Sequence, residues 1–243
     1  MNVAQDHHGI AVHAMTPVHR MGPVFYAFLP HETQPTKVRG TDAGEARRHL
    51  VSILWEHIVT TDSRYLRCHP SFNVAASSIR VVHASLGKPH LLLGEYRGPA
   101  ISFSEGGGSV WAAICGDESD IGIDVADPDE FRGDYPIHRV FTSQELQHVV
   151  RLGEGDVGEA SALLWSIKEA VVKALGCGFH LVEPLDIHVD PCIEKDGECT
   201  FPVRLSGKAL DRLSIDAGQP IWVRSLPQAK MWLSIAFLNW QRC

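Results

Sequence analysis

The stretch Trp165-Ser-Ile-Lys-Glu-Ala-Val-Val-Lys173 sets an acid and a base, Glu169 and Lys173, four residues apart. On a helix that spacing stacks both side chains on one face. Lys168 adds a second cation beside Glu169. Upstream, Asp124 ends the strand-like run of Ile121-Gly-Ile-Asp-Val-Ala126. Two carboxylates and lysines, gathered from a strand end and a helix, suit a divalent metal bound to a phosphate. A Glu–Lys pair by itself is usually a solvated helix pair worth about 0.3–0.5 kcal/mol. Here Asp124 is flanked by apolar residues, and Gly122 allows close approach of another backbone.

The elements that must hold these groups can be read from pattern. Val24–Phe28 is β-rich, and residues 1–20 read as irregular. The polar segment 31–42 reads as a loop, after which Asp42 and Glu45 open a helix with an apolar stripe through Ala46, Leu50, Ile53, Leu54, His57 and Ile58. Ile79–Ala84 reads as a strand and Gly87-Lys-Pro89 as a turn. Three β-like runs follow at Ala100–Phe103, Val110–Cys115 and Ile121–Val125, which together predict a small antiparallel meander. Thr142 and Glu145 form a capping box for a helix reaching about Leu152. The longest helix is predicted from about Glu159 to Leu175, with Leu164, Ile167, Val171, Ala174 and Leu175 buried and Gly176 as its stop. Four β-like runs, Leu185–Val189, Phe201–Leu205, Ile221–Arg224 and Met231–Phe237, complete the chain. Each half thus carries a helix and several strands. The order predicts an α+β protein of two similar α/β lobes, residues 1–122 and residues 123–243, although no sequence repeat is evident.

Composition limits the function classes. The chain has 243 residues, 44% of them hydrophobic, which suffices for a packed core. A formal net charge of -7 argues against a general nucleic-acid or membrane binder. No apolar run approaches the roughly 20 residues that span a bilayer, and the N-terminal residues lack the basic and apolar regions of a secretion signal. A cytoplasmic location is the resulting expectation. The six cysteines show no zinc-type spacing and read as reduced thiols.

Ile121-Gly-Ile-Asp124, followed by Trp165-Ser-Ile-Lys-Glu-Ala-Val-Val-Lys173, resembles the signature of the 4′-phosphopantetheinyl transferases, most closely their large monomeric, surfactin-type group. Ala46-Arg-Arg-His-Leu50 resembles that group's arginine-bearing helix, Gly87-Lys-Pro89 its glycine-lysine-proline turn, and Ile101-Ser-Phe-Ser104 its Ser-His-Ser strand. Gly176-Cys-Gly178 and Pro184-Leu185 resemble the stretch after the long helix, so the likeness spans about residues 45–190. The resemblance implies a pseudo-twofold α+β fold with coenzyme A in the cleft between the lobes and magnesium on its pyrophosphate. A serine of an acyl or peptidyl carrier protein would attack the β-phosphorus, giving the phosphopantetheinylated carrier and adenosine 3′,5′-bisphosphate. Asp124 and Glu169 would hold the metal. Glu169 would also deprotonate the serine, and Lys173, assisted by Lys168, would hold the pyrophosphate. Arg48 and Lys88 would take the 3′-phosphate and adenylate end, and Ser102 a phosphate. The protein would act as a monomer, with no nucleic-acid or membrane partner.

Two positions depart from the family pattern. Where the family commonly has a second acid two residues after the aspartate, this chain has Ala126; residues 124 and 126 of a strand face the same way, so Asp127 points oppositely. Where the family usually has a phosphate-binding histidine stands Phe103, which would pack on the nucleotide or fill core. Lys88 and Arg48 also suit water-exposed positions, and Ser102 an ordinary strand position. The alternative function is therefore a degenerate relative that binds coenzyme A or a carrier domain without efficient turnover.

Overall fold

The computed structural model describes residues 3–5, 10–15, 23–30, 43–61, 78–116, 119–152, 155–195, 198–213 and 220–238. The expected loop 31–42, with the expected cap Asp42, lies outside the described residues. The chain divides into two compact units, Met1–Ile121 with Asn239–Cys243, and Gly122–Leu238.

The first unit contains β1 (Val3–Gln5), β2 (Ala11–Met15), β3 (Val24–Pro30), helix α1 (Ala43–Thr61), β4 (Ile79–His83), β5 (Pro89–Leu93), β6 (Tyr96–Gly106) and β7 (Ser109–Cys115). Its seven strands form one sheet in the order β1-β2-β3-β7-β6-β5-β4. The pairings are antiparallel. The first 20 residues, expected to be irregular, therefore carry two strands; their short apolar alternation becomes decisive only when β3 supplies a partner. The predicted stripe of α1 is buried, with Ala46, Leu50, Ile53, Leu54 and Ile58 packed in one cluster with Phe25, Ala27, Ile101 and Ile114 of the sheet. His57 joins edge-on against Phe25, ring centroids 4.6 Å apart. Between β4 and β5 the chain reverses at Gly87, whose φ of +88° suits glycine.

The second unit contains β8 (Asp120–Ala126, beginning just before it), a 3-10 turn at Pro128–Phe131, α2 (Ser143–Val150), α3 (Val157–Leu175), β9 (Ile187–Val189), β10 (Ile193–Lys195), β11 (Glu198–Leu205), α4 (Gly207–Leu213), β12 (Ile221–Gln228) and β13 (Met231–Leu238). The sheet order is β10-β11-β12-β13-β8, with β9 also on β11. Thr142 and Glu145 form the expected reciprocal capping box. Helix α3 starts earlier than its apolar periodicity indicated, because Asp156 accepts hydrogen bonds from the Gly158 and Glu159 amides. It stops as expected at Gly176, which adopts a left-handed conformation and bonds back to Lys173 O and Val172 O.

The largest difference from expectation concerns β8. It does not extend the meander of β6 and β7; it lies beside β13 in the second sheet. Packing explains why: a Cβ at Gly122 would lie 1.9 Å from Ala170 O and 2.5 Å from Ala174 N. The missing side chain admits the backbone of α3 against the strand. Gly122→Ala should therefore destabilise the second unit by about 3 kcal/mol, at the upper end of overpacking costs, because the obstruction is backbone. Urea unfolding checks this; an unchanged midpoint would contradict the close approach.

Candidate active site

The same close approach positions an acid. Asp124 follows Gly122 by two residues in β8, so both face α3. Asp124 is buried. Its Oδ1 accepts a hydrogen bond from Lys173 Nζ at 2.6 Å, and Lys173 also donates to Ile123 O at 3.1 Å. Glu169 lies one turn before Lys173 on the same stripe, and both are half-buried among buried neighbours. Burial raises the pKa of Glu169; the charge of Asp124 raises it further, while Lys173 opposes both. Asp124, Glu169 and Lys173 thus share one electrostatic neighbourhood.

Lys168 is elsewhere. It is fully buried and paired with Glu145 at 3.0 Å. It also donates to Val140 O and Pro184 O, each at 2.9 Å. Glu145 in turn accepts from the Val189 amide at 3.0 Å and the Thr142 amide at 2.7 Å. Burial lowers the Lys168 pKa, and Glu145 counters that effect. In this arrangement Lys168 joins the start of α2, the turn before β9 and α3, rather than standing beside Lys173.

In the first unit, Ser102 and Phe103 occupy adjacent positions of β6, opposite Ala113 and Ala112. They therefore face opposite sides of the sheet. Ser102 is buried. Phe103 packs at the edge of the α1 core, which favours its core-filling role. Arg48 is exposed, whereas its neighbour Arg47 lies over the Phe103 ring, 5.6 Å from its centroid, and bonds Glu105 at 2.8 Å. Lys88 is largely buried and paired with Asp120 at 2.8 Å.

Two residues near the acid site, Glu130 and Tyr135, carry no signal of it in the sequence. Glu130 is an exposed residue whose carboxyl pKa is nonetheless pushed up by partial desolvation, then by the charges of Asp127 and Asp124, so it lies within the field of the site. Tyr135 has a raised pKa from burial, then from Glu130 and Glu169. No local spacing rule connects either with α3.

Residues 120–212 match the family model of the 4′-phosphopantetheinyl transferase superfamily. The matched segment contains Asp124, Lys168, Glu169 and Lys173; Arg48, Lys88, Ser102 and Phe103 lie outside it. Among solved structures, one described as a Chronobacterium ammoniagenes ACPS-CoA complex is similar at 20% identity over 52% of this chain and 100% of that chain, with a TM-score of 0.41. No curated protein matches.

The donor set at Asp124 and Glu169 can be tested against the magnesium of a transferase of this superfamily. Magnesium characteristically takes one or two carboxylates and completes its octahedron with substrate phosphates and water. The two carboxylates raise their mutual electrostatic cost, as the response of Glu169 to Asp124 records, and a divalent cation would relieve it. Ala126, where the family commonly has another acid, is instead buried in the core of the unit. Among the described residues, no group of three His, Cys, Asp or Glu side chains forms a metal cage. Two carboxylates therefore fit an ion whose other ligands arrive with a phosphate.

Proposed function

We propose that this protein transfers the 4′-phosphopantetheine arm of coenzyme A to a serine of an acyl or peptidyl carrier protein. The observation that carries the reading is the meeting of Asp124, Glu169 and Lys173 within the segment that matches the transferase superfamily. Asp124 and Glu169 would hold magnesium, which when bound neutralises pyrophosphate charge. The half-buried Glu169 has its proton affinity raised and would accept the serine proton, directly or through water. The serine oxygen then forms a bond to the β-phosphorus as the bond to the adenylate phosphate oxygen breaks. That oxygen leaves on adenosine 3′,5′-bisphosphate. Lys173 would shift from Asp124 toward the pyrophosphate and balance charge developing on its oxygens. Arg48 and Lys88 remain the proposed cations for the 3′-phosphate end, and Ser102 a proposed phosphate contact.

We assign Lys168 a supporting part in this scheme, since its ammonium is enclosed by Glu145 and two carbonyls. The proposed protein is a cytoplasmic monomer with two pseudo-twofold lobes, 1–122 and 123–243. No helix among the described residues is long and apolar enough to cross a membrane. A second reading, coenzyme A or carrier binding without efficient turnover, is favoured by Ala126 in the core and Phe103 beneath Arg47. Incubation with magnesium, coenzyme A labelled in its pantetheine arm and a panel of carrier proteins should label a carrier serine. Coenzyme A binding without label transfer would support the second reading; absence of both would overturn the two together.

A further inference from the structure

We propose that the Tyr135 hydroxyl is an additional ligand contact, donating a hydrogen bond to a phosphate oxygen bound beside Glu169 and Lys173. The inference rests on the transferase reading and adds a residue to its pyrophosphate site. Tyr135 is carried on an anchored segment. Phe131, at the end of the 3-10 turn, is buried and contacts Trp165 of α3 with ring centroids 6.3 Å apart. The Tyr135 ring meets Phe131 in a T-shaped contact at 4.8 Å. Between them, Arg132 bonds Asp129 at 2.6 Å and the α3 cap Asp156 at 3.2 Å. On the far side of Tyr135, the Ile137 amide bonds Tyr135 O at 2.7 Å. Trp165 begins the stripe that continues through Glu169 to Lys173, so the aromatic contacts tie the Tyr135 segment to that face of α3, where the Glu169 charge acts on the phenol.

The phenol is left available for a ligand. The Tyr135 ring is half-buried against the second unit's core. Among the described residues, the Tyr135 hydroxyl has no hydrogen-bond partner. A phenol, with an ordinary pKa of about 10, is protonated at neutral pH and hence a donor. A neutral donor also suits this position electrostatically: it can bond an anionic phosphate oxygen without competing with a divalent cation for the carboxylates. Holding it on Phe131 reduces the rotational freedom lost when a ligand binds.

Tyr135→Phe removes the hydroxyl and preserves the ring contact. Calorimetry with coenzyme A and magnesium should show about tenfold weaker binding for this variant, the effect of one hydrogen bond to a charged acceptor. Its ligand-free melting temperature should match the wild type. Pantetheine, which lacks phosphate, should show no difference between the two proteins. Equal coenzyme A affinity, or a loss extending to pantetheine, would overturn the assignment, as would weakened binding accompanied by a lowered melting temperature. Failure of the wild type to bind coenzyme A would instead overturn the transferase reading and this inference with it.

Discussion

Replacing Glu169 with Gln should lower label transfer to a carrier serine by at least about 10²-fold, the lower range for loss of a general base. The same substitution should leave the protein folded and raise its melting temperature slightly at neutral pH in magnesium-free buffer. Both expectations follow from one environment. Glu169 is half-buried, and burial together with Asp124 disfavours its ionised form. Glutamine retains the shape while removing a charge that is costly in the absence of cation. The stability difference should narrow on acidification. A carboxyl with raised folded-state pKa binds more protons in the folded than in the unfolded state between the two pKa values, so wild-type stability increases as pH falls through that window. Glutamine lacks this response. Melting curves over a pH series, paired with transfer assays, check both parts; a variant retaining more than a tenth of wild-type transfer would remove Glu169 from the role of base.

The contrast between Glu169 and Lys168 shows which features of the site were legible in sequence. The i,i+4 relation of Trp165, Glu169 and Lys173 survived folding because it depends on one helix. Thr142 with Glu145 was likewise legible as a capping box. The same Glu145 carboxylate also takes the Lys168 ammonium and Val189 amide, and those partners are brought by tertiary packing. A local signal did bear on Lys168: it stands four residues after Leu164 and three before Val171, on the predicted buried stripe. Its charge pointed toward phosphate, while its helical phase pointed inward. Strand β8 shows another limit. The residues of Ile121–Val125 specify a buried strand, but Gly122 acquires its special meaning from Ala170 and Ala174, far along the chain. The partners of Tyr135 are nonlocal in the same way.

Lys168→Met should destabilise the protein by about 3–5 kcal/mol, the cost of breaking a buried ion pair and leaving one charge behind. Lys168 is 0% exposed and Glu145 4%, so water cannot readily replace the missing ammonium. The substitution also removes donors from Val140 O and Pro184 O, while methionine fills part of the lysine volume. Combining it with Glu145→Gln should cost less than the sum of the single changes, since the second substitution removes the stranded carboxylate charge. Urea unfolding of the four proteins yields that coupling. Lys173→Met provides the comparison: the lysine side chain it removes is 30% exposed, so water can take the place of the ammonium beside the buried Asp124 and the principal effect should fall on ligand binding and transfer. If Lys168 instead served as a phosphate contact, Lys168→Met would weaken coenzyme A binding while leaving unfolding nearly unchanged. Large destabilisation with positive recovery in the double variant identifies Lys168 as the buried support of the helix from which Glu169 and Lys173 project.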